Sequence, residues 1–141
     1  MSEIKVDKIS GKTSANAITV TGENGSTQTS LQQGLAKCSI KFAGGSATAA
    51  EDLTGVSYSF NVSSLVDVST GRYKININND MTDGDYAISH AVSPNTGGGS
   101  DLVPMIDSTN APAAGSFGVM AVRASFFDVT IVCCLVHGDL A

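Results

Sequence analysis

The 141 residues suffice for one ordinary domain with a core plus a short appendage, and the 42% hydrophobic content is that of a globular protein. Charged residues make up only 15% and the net charge is -5, with eight Lys and Arg scattered along the chain, so no basic stripe invites nucleic acid. No apolar run approaches bilayer length, and "MSEIKVDKIS" lacks the charged start, apolar stretch and small-residue cleavage site of a secretory signal, so neither membrane insertion nor export is expected.

The first part of the chain reads as an attachment segment and connector, residues 1–36. "EIKVDKI" (Glu3 to Ile9) and "NAITVTG" (Asn16 to Gly22) alternate apolar and polar residues and predict a small hairpin. Two strands bury too little to stand alone, so Ile4, Val6, Ile9, Ile18 and Val20 are candidates for docking onto another surface. The polar stretch "ENGSTQTSLQQGLAK" then leads into a short helix, with Ser30 as its cap and Leu31 and Leu35 on one face. So short a helix needs a partner to pack against.

From residue 37 to 141 strand follows strand. Cys38, Ile40 and Phe42 alternate with polar neighbours, as do Tyr58, Phe60 and Val62, then Tyr73, Ile75 and Ile77, then Tyr86, Ile88, His90 and Val92. A period of two predicts sheets with one buried face. A Gly, Pro and Ser-rich stretch from Ser93 to Ser116 reads as a long loop, interrupted by "DLVPMID". Two strands close the chain, and Ile131 to Val136 is apolar on both faces, which makes it either central in a sheet or covered by another chain. The expected fold is mostly β, an antiparallel sandwich or jelly-roll-like knob.

Sites for chemistry are weakly signalled. Asp80, Asp83 and Asp85 cluster in the loop "NNDMTDGDY", but the spacing lacks the EF-hand order, Gly84 suits a turn residue at positive φ, and a plain turn is the preferred reading over a Ca²⁺ site. Cys38, Cys133 and Cys134 form a poor disulfide framework and read as small buried hydrophobes. His90 and His137 lack the further ligands of a zinc site. Neither Ser116 nor Ser125 lies in a nucleophile motif, and "NTGGGS" lacks the residues of a phosphate loop. No catalytic residue, metal or cofactor is expected. A sugar site is disfavoured because Trp is absent, most Phe read as core, and Tyr58, Tyr73 and Tyr86 all fall in registers read as buried.

"SLQQGLAKCSIKFAGG", "SYSFNVSSLVDVSTGRYKININNDMTDGDYAI" and "FFDVTIVCCLVHGDLA" resemble segments of small bacteriophage virion proteins, in particular tail-fibre and appendage subunits of marine phages. The resemblance implies a non-enzymatic homotrimer in the virion, docked through its N-terminal portion on other phage proteins, with a distal knob facing a host-surface receptor. Burial of the second apolar face of the last strand fits a trimer, which makes Leu31, Leu35, Ile131, Val132, Cys134 and Val136 the candidate interface. Host contact is expected on the long loop, at Asn95, Thr96, Ser100 and Asp101. Two other readings are a purely architectural capsid or neck decoration protein and a carbohydrate-binding sandwich module.

Overall fold

In a computed structural model, which describes Val6 and residues 18–21, 28–30, 34–93 and 102–141, the alternating runs become antiparallel strands. The chain divides into two units, Met1–Leu35 and Ala36–Ala141. In the first, β1 (Thr19–Thr21) pairs antiparallel with β2 (Gln28–Ser30), Val20 opposite Thr29. The strand expected over Asn16 to Gly22 therefore pairs with residues assigned to the polar connector; of its expected partner, Glu3 to Ile9, all but Val6 lies outside the described residues. The Asn24-Gly25 dipeptide between β1 and β2 is the hairpin signal that marks this pairing in the sequence. Val6, Val20 and Leu35 are exposed and Ile18 half-buried, whereas Ile4, Ile9, Leu31 and most of the expected helix lie outside the described residues.

The second unit is an antiparallel sandwich, as the alternation predicts. One sheet runs β4 (Val56–Phe60), β3 (Cys38–Phe42), β10 (Ile131–His137), β7 (Ala87–Ser93). The other runs β5 (Val62–Ser69), β6 (Arg72–Ile77), β9 (Ser116–Val122), β8 (Val103–Ile106). Inward residues of both sheets form one core: Cys38, Ile40, Phe42, Val132, Cys134 and Val136 from the first, and Leu65, Tyr73, Ile75, Phe117 and Val119 from the second. An edge-to-face contact of Phe42 with Tyr73, centroids 5.1 Å apart, joins the two sheets.

Strand β10 lies between β3 and β7, so its double-sided apolar character belongs to a central strand. Val132, Cys134 and Val136 are buried in the sandwich itself at 1%, 4% and 0% exposure, and are not free to form a trimer interface. Ile131, Cys133 and Leu135 point the other way, as the strict period of two requires, and of these Leu135 is exposed.

The single alternating run read from Tyr58 to Val62 is two strands in different sheets. Asn61 separates them with φ of 56°, a left-handed conformation that Asn tolerates better than most residues. Its side chain fixes the corner: Nδ2 donates to the carbonyls of Lys37 (2.9 Å) and Asn79 (3.1 Å), and Oδ1 accepts from the backbone N–H of Asn79 (2.7 Å). The described part of the long Ser93 to Ser116 stretch, from residue 102 on, also has regular structure, since "VPMI" is edge strand β8, pairing Met105 with Met120. Asp107 follows it, buried to 1% exposure, and accepts from Arg72 Nη2 (2.7 Å) and Nε (3.2 Å), Asn110 Nδ2 (2.9 Å) and Thr109 N–H (3.0 Å). Burial by itself would raise its pKa, but the Arg72, Asn110 and Thr109 hydrogen bonds outweigh it and hold the carboxyl below its ordinary range.

Replacing Asn61 separates its two roles. Asn61→Gly keeps the left-handed conformation and loses the side-chain hydrogen bonds; Asn61→Ala loses both and should cost about 1 kcal/mol more, measured by urea denaturation of the two variants.

Candidate functional site

The acidic loop is a hydrogen-bonded turn. Asp83 Oδ1 accepts from the Asp85 N–H at 2.8 Å, the Asp80 carbonyl accepts from the Ala141 N–H at 3.0 Å, and buried Met81 donates its N–H to the Ala114 carbonyl at 2.9 Å. Gly84 does not have the positive φ expected of it; its lack of a side chain serves close packing, because a Cβ there would stand 2.5 Å from the Pro112 carbonyl oxygen. Among the described residues no three His, Cys, Asp or Glu gather as metal ligands.

The two histidines lie on opposite faces of one sheet. His90 pairs with buried Cys134 and so faces the core, where its Nε2 is buried without a hydrogen-bond partner among the described residues and burial lowers its pKa. His137 pairs with exposed Ala87 on the outer face. A shared ion is geometrically excluded. Cys38 and Cys134 are buried and Cys133 half-buried, and loss of solvation pushes the Cys38 thiol up to about 12. Asn95, Thr96, Ser100 and Asp101 lie outside the described residues.

The aromatic distribution differs from that read in the sequence. Tyr73 is buried and Tyr86 half-buried, but Tyr58 is 58% exposed, and Phe60, Phe126 and Phe127 are exposed too. A β-bulge turns Tyr58 outward. Tyr58 pairs with Lys41 and Val56 with Phe42, so Ser57 is an extra residue on β4, and its Oγ donates to the Lys41 carbonyl at 3.1 Å. Val56 thereby packs against the core while Tyr58, two residues on, faces solvent.

Tyr58 stands over a shallow depression of about 420 Å³ on the outer face of sheet β4-β3-β10-β7. Cross-strand register puts Tyr58, Lys41, Cys133 and Ala91 in one row and Phe60, Ser39, Leu135 and Ser89 in the next. Small side chains thus floor the depression, and Ser39 Oγ sits 3.5 Å from the Tyr58 hydroxyl. Periodicity alone hides this surface, because the bulge that creates it leaves the alternation of "VSYSF" unbroken.

At one end of the sandwich a second polar group of residues is built on Tyr73. Its hydroxyl donates to Asp128 Oδ1 at 3.1 Å, and the same oxygen accepts the Gly71 N–H at 2.6 Å. Asp67, opposite Tyr73 on β5, has its Oδ1 buried with no hydrogen-bond partner among the described residues. Burial, and after it the charge of Asp128, raise the Asp67 carboxyl above its ordinary range. No family model, curated protein or solved structure matches the chain.

A carboxyl whose pKa is higher folded than unfolded holds more protons in the native state, so its contribution to stability is greatest at acid pH and falls as pH rises from about 4 through the raised value. Asp67→Asn removes that titration and the charge that Asp128 repels. The variant should be more stable than the parent at pH 7, with the difference shrinking toward pH 4, in urea denaturation at both pH values. Chelator should leave the melting temperature unchanged, and Asp83→Asn should cost less than about 1 kcal/mol, as changes in surface turns do.

Proposed function

We propose that this chain is a non-enzymatic structural subunit of a bacteriophage virion: a homotrimeric tail-fibre or appendage protein, joined to the particle through its N-terminal unit and presenting its sandwich as a knob toward the host surface. The observation that carries the reading is an apolar edge on the sandwich. All four residues of β8, "VPMI", are exposed, with Val103 at 51% and Met105 at 44%, and Val122 bridges β9 to the exposed Phe126. So much apolar surface on a chain with few charges is the mark of an assembly contact. Pro104 denies β8 one backbone donor, which discourages open-ended strand addition and favours a closed contact made by side chains.

The trimer contact is accordingly assigned to Val103, Met105 and Phe126 in place of Val132, Cys134 and Val136. The separate N-terminal unit, with Val6 and Val20 exposed, supports attachment at that end. Avidity from three copies, and from several fibres per particle, offsets weak individual contacts with a host.

Light scattering of the purified protein should give the mass of a trimer, and Met105→Glu should give a folded monomer, because the side chain is exposed in the single chain. A monomeric parent at micromolar concentration would remove the basis for the reading. Deletion of residues 1–35 should leave the trimer intact while abolishing incorporation into virions.

A further inference from the structure

The depression beneath Tyr58 is distinct from the β8 edge: it lies on the other sheet. We propose that it binds an acidic saccharide, one pyranose ring lying against Tyr58 with its carboxylate at Lys41. Four features define the ligand. An exposed aromatic ring, its hydroxyl beside Ser39 Oγ, offers a flat apolar face for the C–H face of a sugar. Lys41, paired with Tyr58 across the strands, is exposed, and among the described residues it is the single charged side chain lining the depression and makes no ion pair. Ser39 and Ser89 add hydroxyls in the adjacent row, suited to sugar hydroxyls. Finally, the row from Tyr58 to Ala91 crosses three strand gaps of roughly 4.8 Å each, about 14 Å, which holds one or two rings above small side chains.

The position argues against a peptide. An extended peptide gains affinity from free backbone groups at a sheet edge. The floor here is β3 and β10, whose backbone groups are already paired on both sides, so a ligand must bring its own flat face and hydroxyls. The bulge at Ser57 is the local device that turns Tyr58 out of the core register, and bulges re-aim side chains in this way next to binding sites. A lone cation and a single aromatic wall in an open depression give weak binding, with rapid exchange and strong dependence on salt.

The inference goes beyond the virion reading and does not rest on it, because a monomer with no place in a particle could carry the same depression. The test is an NMR titration of the intact chain with trigalacturonate, and in parallel with the neutral galactose trisaccharide. Saturable millimolar shifts are expected for residues 39–41, 58, 89–91 and 133–135 with the acidic sugar. Tyr58→Ala should weaken it at least about tenfold. Lys41→Met should remove most of the preference for the acidic sugar over the neutral one. Both side chains are exposed, and an unchanged amide spectrum away from the depression verifies the fold of each variant. Absence of saturable shifts with trigalacturonate, undiminished binding by Tyr58→Ala, or equal affinity for the two sugars in the parent would each overturn the proposal, whatever oligomeric state light scattering finds.

Discussion

The hydroxyl of Tyr73 is the constraint around which the sandwich is arranged. Tyr73 is among the largest fully buried side chains, and a phenol placed in an apolar core must find a hydrogen-bond partner or lose roughly 1–3 kcal/mol. Its ring meets Phe42 of the opposite sheet, and its hydroxyl reaches Asp128 in the segment between β9 and β10. Asp128 in turn captures the Gly71 N–H at the β5-β6 turn. One side chain thus ties together both sheets, a hairpin and the segment that carries the chain from one sheet to the other. Gly44 yields the space: a Cβ there would fall 2.2 Å from the Tyr73 oxygen.

Satisfying that hydroxyl has a cost at the same end of the molecule. Bringing Asp128 inward places its charge near Asp67, whose own buried oxygen has no donor among the described residues. The β8 side solves its polar problem differently. Asp107 is more buried than Asp67, but it is met by a bidentate guanidinium and two further donors, and Arg72 is itself held by the ring of Phe126 at 5.5 Å. Gly118 allows this group to lie close against β9, since a Cβ there would stand 2.9 Å from that of Asp107. β8 is therefore anchored by a buried charge pair at its end while its apolar side chains remain outside, a rigid edge with uncovered surface.

What could be read from the sequence follows from which interactions are local. Alternation in "CSIKF" and "RYKINI" reports burial directly, and the core holds Cys38, Ile40, Phe42, Tyr73, Ile75 and Ile77 as that pattern requires. The apolar run of β10 was legible as central or covered by another chain; choosing between these needs the pairing with β3 and β7, which is long-range. The Asn61 corner was illegible for the same reason, because its partners Lys37 and Asn79 lie 24 and 18 residues away. Strand β8 was hidden by Gly and Pro on either side, which read as loop chemistry.

The reading of Tyr58 failed for a more informative cause. A period of two separates two faces but does not say which is inside, and the usual rule sends the apolar stripe inward. In β4 the bulge reverses that rule after Val56, leaving Tyr58 and Phe60 in water on a strand whose neighbours obey it. Exposing two aromatic rings forfeits burial energy of about 1.5–3 kcal/mol each relative to a core position. A sequence that meets its burial requirements at Phe42, Tyr73 and Phe117 but turns two adjacent aromatics outward has given up stability at one place on its surface. Such a local departure is expected where a surface has something to hold. The small side chains of Ser39, Ser89 and Ala91 along the depression point the same way, since larger residues would have filled it.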